Sequence, residues 1–138
     1  MATHHTELKW IEELKFDAFQ NGKTIRIDAN PDESSTTGVR PKALILTSLA
    51  GCTAIDVVEL LKKMRVEFSD FGIKVSGELT EEHPTTYHTV QLTYQVKLKN
   101  AEDRDKMEKA VNLSQEKYCG VTAMVKKFAD LQVGIEYL

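Results

Sequence analysis

The sequence is short of the features that mark most reaction chemistries. It has two cysteines in 138 residues, Cys52 and Cys119, far apart along the chain. They form neither a close redox CxxC pair nor a zinc knuckle, and they are too few for a secreted disulfide framework. No GxGxxG or Walker-type loop is present, so nucleotide cofactors have no support. His83 and His88 stand near one another, but two histidines and distant thiols give no recognised zinc spacing, and no metal is expected. Positive charge is not in excess: 18 Lys and Arg against 21 Asp and Glu leave a net charge of −3. That removes the electrostatic case for nucleic acid. The opening residues, Met1 to Glu7, lack the apolar centre of a signal peptide, which points to a soluble cytoplasmic protein. The longest apolar stretch, Ala43 to Leu61, is broken by Thr47, Ser48, Thr53, Asp56 and Glu59, too polar for a membrane span.

That stretch is the feature around which the chain is organised. With Pro41 suited to a first helical turn, a helix is predicted over about 41–65. Apolar residues run nearly all the way round it, so it reads as buried on most sides. An N-terminal strand lobe is predicted over about 8–29. Its hairpin is marked by Asn21-Gly22, the strongest short turn signal in the chain. Residues 30–38 read as a loop. After the helix, 71–138 should hold two longer strands, a broken helix and a closing strand, all within one domain. Ser69-Asp70 allows a turn. Ile73, Val75, Gly77 and Leu79 alternate with polar residues. His88, Val90, Leu92, Tyr94, Val96 and Leu98 share one face of the next strand. Asn100 or Asp103 could cap the following helix. Met107, Ala110, Val111, Ser114 and Tyr118 then recur at helical spacing, Cys119-Gly120 interrupts, and Val121, Met124, Val125 and Phe128 resume the pattern. A helix with so little polar surface needs more cover than one short chain offers, so a two-fold dimer with a large interface is expected.

Two readings of the cysteines are open. Both can be inert buried thiols, since free cysteine is among the most buried residue types. Alternatively they form a separated redox pair. That requires Cα atoms ~4.4–6.8 Å apart and a thiol pKa lowered by a neighbouring cation; two units correspond to roughly 2.7 kcal/mol. Of Arg26, Arg40, Arg65 and Arg104, the preferred neighbours are Arg40, beside the helix start, and Arg26, on the strand before the loop. Asp56, one turn after Cys52, would raise the thiol pKa and oppose catalysis. Tyr118 reads as core.

The segments Pro41 to Thr53 and Leu113 to Cys119, with Glu82-His83-Pro84 ahead of the long strand, resemble the OsmC/Ohr family of osmotically inducible and organic hydroperoxide resistance proteins, in its OsmC-like branch. The resemblance spans most of the chain. It implies an α+β fold with antiparallel sheets packed around a long buried central helix, in an intertwined homodimer whose subunits build each site together. It implies a thiol-dependent peroxidase, with Cys52 as the peroxidatic thiol and Cys119 as the resolving thiol that closes a disulfide. A dithiol reductant such as a lipoyl group would then reopen it. No metal, flavin or haem is implied, and no membrane or nucleic-acid partner. The substrate would be a small organic hydroperoxide. The alternative is a binding protein for a small apolar ligand, or a thiol buffer, with little turnover. One departure bears on this choice. Where the family carries a glutamate shortly after the helix-start proline, paired with the activating arginine, this chain has Lys42 and Ala43. Glu33 or Asp32 is left as a substitute.

Overall fold

The computed structural model describes residues 1–138, and the fold is of α+β class with six strands and three α-helices. The chain divides into two compact units, Met1–Ile45 and Leu46–Leu138.

The first unit holds one antiparallel sheet, β1 (Glu7–Glu12), β2 (Lys15–Gln20) and β3 (Lys23–Asp28), in that order. Asn21 and Gly22 close the β2–β3 hairpin with φ of 47° and 74°. Two successive left-handed residues match the right-handed twist of the strands they join. The loop that follows is tied to β3 by Asp28. This buried carboxylate accepts the backbone N–H groups of Asn30 and Thr37, which hold it below the usual carboxylate range. A short 3₁₀ turn at Glu33–Ser35 is capped by Asp32, and Val39 then pairs with Ile27.

Helix α1 runs from Leu44 to Lys63, so the predicted start at 41 moves inward. Pro41 and Lys42 accept i→i+3 bonds from Leu44 and Ile45 in a preceding turn. The expectation of burial on most sides gives way to a single stripe in this chain: Leu49, Thr53, Val57 and Leu61 are buried, at a spacing of four, whereas Ile55 is 63% exposed. By length and composition α1 could cross a membrane. Its buried stripe instead joins the core of the second unit.

That core is built on the sheet β4 (Phe68–Leu79), β5 (Tyr87–Leu98) and β6 (Asp130–Tyr137). Val90, Leu92, Tyr94 and Val96 of β5 are fully buried beside Leu49, Val57 and Leu61. This sheet is mixed rather than antiparallel: β6 runs parallel to β5. A parallel neighbour needs a long crossover, and the broken helix supplies it. Two details depart from simple alternation. Ser69 and Asp70 form an irregularity within β4, with Asp70 at φ 53°, rather than a turn before it. At the far end, Glu78 pairs with Thr89 and Leu79 with Tyr87, which leaves His88 as an extra residue. The bulge turns His88 outward and Tyr87 inward. Gly77 makes room, since a Cβ there would lie 2.6 Å from the Tyr87 ring.

The crossover comprises α2 (Arg104–Leu113), a π-helical turn (Ser114–Tyr118) and α3 (Gly120–Val125). Neither Asn100 nor Asp103 caps α2 or its 3₁₀ lead-in through a side chain. The π turn is closed by the Cys119 N–H on the Ser114 carbonyl at 2.8 Å. The wider turn shifts the phase of the buried stripe by one residue. Cys119 therefore takes the inward place predicted for Tyr118, which is 52% exposed. Beyond it Thr122 and Val125 are buried, while Met124 and Phe128 face outward.

Candidate active site

Both thiols are free, and α1 and the π turn bring them together. Cys52 is partly buried and Cys119 is 4% exposed. The Cys119 side chain and the Val121 backbone N–H lie close enough to Cys52 to shift its ionisation, the first upward and the second downward. Cys119 is itself the residue at the head of α3, in extended conformation, and its Sγ accepts the Thr122 N–H at 3.3 Å. Backbone N–H groups of the same short helix thus act on both thiols.

The electrostatic balance at Cys52 favours the neutral thiol. Burial is the largest influence and raises its pKa. The contact with Cys119 raises it further, the Val121 N–H lowers it, and the charges of Cys119 and Asp56 raise it again. A neighbouring carboxylate opposes an anion. Alkylation of Cys52 by iodoacetamide should therefore show a midpoint above that of a free cysteine, and Asp56→Asn should move it downward. A midpoint below the ordinary thiol value would contradict the description of the pocket. The linkage has a definite sign. Because the folded-state pKa is raised, stability contributed by the neutral thiol is present below the unfolded pKa and is lost as pH rises through the folded one. Tyr94, also raised chiefly by burial, adds to this alkaline loss at higher pH.

A file of buried polar groups runs beside the thiols. Gln115 Nε2 donates to Tyr94 Oη at 2.8 Å. Tyr94 Oη lies 2.5 Å from Thr53 Oγ1, which lies 2.6 Å from Ser114 Oγ. Ser114 Oγ donates to Asp56 Oδ2 at 2.9 Å. Thr53, Tyr94 and Ser114 are fully buried. Sequence reading did not assign these three residues to the site. The available signal was two polar residues, Thr53 and Ser114, on stripes that are otherwise apolar. Gln115 also lines an open cleft of about 500 Å³ with Leu131, Val133, Ile135 and Tyr137, and its buried Oε1 has no partner.

The two candidate arginines lie in the first unit. Arg26, on β3, makes a two-pronged pair with Asp17, through Nε to Oδ1 and through Nη2 to Oδ2 at 3.2 Å. The pair holds the Asp17 carboxyl below its usual range and Arg26 firmly charged. Arg40 reaches Glu33 at 3.3 Å and the Asn30 carbonyl at 2.8 Å. Each guanidinium therefore has a carboxylate partner supplied by its own unit, and Glu33, not Asp32, is the one beside Arg40.

Comparison with known proteins finds relatives over most of the chain. The sequence profile described as OsmC-like protein matches residues 31–133. Protein YhfA of Escherichia coli is 33% identical over 125 residues, covering 90% of each chain. A hypothetical protein from Aquifex aeolicus superposes with a TM-score of 0.85 at 31% identity, over 100% of this chain and 98% of that one. The OsmC-like protein from Mycoplasma pneumoniae superposes with a TM-score of 0.84 at 14% identity, over 99% and 98%.

Proposed function

The chain belongs to the OsmC-like protein family, and from that premise we propose that it is a thiol-dependent peroxidase acting on organic hydroperoxides. The observation that carries the proposal is the proximity of Cys52 and Cys119, which are distant in sequence yet close enough in the fold for one thiol to shift the ionisation of the other, on segments joined by the 2.6 Å contact of Thr53 with Ser114. In the proposed cycle the Cys52 thiolate attacks the O–O bond. Sulfur takes one oxygen to become a sulfenic acid, and the alkoxide leaves as alcohol after taking a proton. The Cys119 sulfur then displaces water from the sulfenic sulfur and forms the disulfide. A dithiol of lipoyl type returns both thiols by exchange. The Val121 N–H, which lowers the Cys52 pKa, stabilises negative charge there. Cumene hydroperoxide consumption that requires a dithiol and saturates with substrate is the expected result. Its absence with fully reduced protein would overturn the assignment.

A second reading has its own support. The raised Cys52 thiol, the Lys42 and Ala43 that stand where the family has its glutamate, and the cleft beside Gln115 favour a ligand-binding or thiol-buffering protein. Dithiol-coupled turnover separates the two, since a buffer gives one equivalent of oxidation and stops.

The proposed setting is the cytoplasm, where dithiols are kept reduced. The proposed assembly is a homodimer. It is supported by the large apolar side chains that one chain leaves exposed, among them Ile55, Met124 and Phe128. Sedimentation should give twice the mass of one chain, and a single-chain mass at micromolar concentration would contradict it.

A further inference from the structure

The hydroxyl file beside the thiols has a fixed direction. Ser114 spends its one hydroxyl proton on Asp56, so its oxygen must accept from Thr53. Thr53 then has no proton left and must accept from Tyr94. Tyr94 in turn accepts from the Gln115 amide. Every hydroxyl donates once and accepts once, and the polarity ends on a carboxylate. The file is not a proton wire, because its far end is an amide N–H that does not release a proton. It acts as a brace whose sense is set by the Asp56 charge. This gives a reason for a carboxylate one turn from Cys52 that otherwise only hinders ionisation of the thiol.

The brace joins the segments that carry the two sulfurs. Thr53 follows Cys52 on α1, and Ser114 binds the Cys119 N–H through its carbonyl at 2.8 Å. One 2.6 Å hydroxyl contact between Thr53 and Ser114 therefore links the backbone of one cysteine to that of the other. We propose that Thr53, Ser114 and Tyr94 are positioning residues that hold Cys52 and Cys119 at the separation and angle needed to close a disulfide. The inference deepens the proposed function, since it rests on the pair being redox active. Disulfides tolerate little error in Cα separation and torsion, and an intramolecular closure is accelerated in proportion to how well its partners are held.

The test is the equilibrium of the thiol pair with glutathione. Two protein thiols and one glutathione disulfide give the Cys52–Cys119 disulfide and two glutathione thiols. One S–S bond breaks as another forms, and both protons pass to glutathione. Alkylation of the remaining thiols across a range of glutathione ratios measures the effective concentration of one cysteine at the other. Thr53→Val and Ser114→Ala should each lower it by about tenfold or more, whereas Thr53→Ser, which keeps the hydroxyl, should stay within about threefold of the parent. Parent-like values for Thr53→Val and Ser114→Ala would overturn the inference, as would an equal loss in Thr53→Ser. Should those two variants fail to fold, Tyr94→Phe decides. It keeps the ring, and its expected loss is more than about threefold; a smaller loss overturns the brace. The assay needs no peroxide, so the two claims separate. A parent that closes its disulfide but consumes no hydroperoxide refutes the peroxidase and leaves the brace standing. Closure unaffected in Thr53→Val, Ser114→Ala and Tyr94→Phe, with peroxide turnover intact, refutes the brace alone. A parent that forms no disulfide at any ratio refutes both.

Discussion

Cys52→Ser is expected to abolish hydroperoxide turnover, by roughly 10³-fold or more, the scale on which removal of a nucleophile usually registers. Serine fills nearly the same space, and its oxygen can accept a backbone N–H in place of the sulfur. The fold should therefore survive, and the loss can be assigned to chemistry. A hydroxyl has neither the acidity nor the polarisable lone pair that allows a thiolate to cleave an O–O bond. The measurement is cumene hydroperoxide consumption in the presence of dihydrolipoamide, with unfolding followed in parallel. A variant that retained more than about a tenth of the parent rate would exclude Cys52 as nucleophile, since no uncatalysed route could supply it.

Cys119→Ser should convert a turning-over protein into a single-use one. Cys119 has two roles in the structure. It lies close enough to Cys52 to shift that thiol's ionisation, and it caps α3 by accepting the Thr122 N–H. Serine is a strongly preferred residue at a helix N-cap, so the substitution keeps the capping role and removes the redox one. The first equivalent of peroxide should still be consumed and should leave a trappable sulfenic acid on Cys52. Steady-state turnover should fall by about 10²-fold, and excess peroxide should carry Cys52 on to the sulfinic state. Cys119→Ala removes both roles and should lower stability by about 0.5–2 kcal/mol at most, because sulfur is a weaker acceptor than the oxygen caps from which that range comes. Undiminished turnover in Cys119→Ser would remove Cys119 from the cycle.

The sequence showed most clearly those features set by local periodicity. The inward face of β5 from Val90 to Val96 follows from strict alternation, and the Asn21-Gly22 turn follows from the need for two positive φ values. Features set by a one-residue slip were hidden. The bulge at His88 exchanges the faces of His88 and Tyr87, and the π turn exchanges Tyr118 for Cys119. In both cases the local composition fits either phase, and packing decides. The second slip matters most, because a continuous α-helix would have left Cys119 one position out of phase. The cysteine pair was legible as two candidates, but their contact came only with the tertiary fold. The file from Gln115 to Asp56 draws on β5, α1 and the π turn, so no window of sequence contains it. Thr53 and Ser114 were visible as polar interruptions, without the partners that explain them. Arg40 is preferred for its place beside the helix start and Arg26 for its place on the strand before the loop, and their pairs with Asp17 and Glu33 involve residues whose roles the local pattern does not mark.

The most direct measurement is the mass of the reduced protein and its free-thiol count after one equivalent of cumene hydroperoxide. Both thiols should be lost within one chain, with a mass lower by two hydrogens that a dithiol restores. Retention of both thiols with unchanged mass would contradict the proposed cycle, and so would a disulfide that joins Cys52 to any residue other than Cys119.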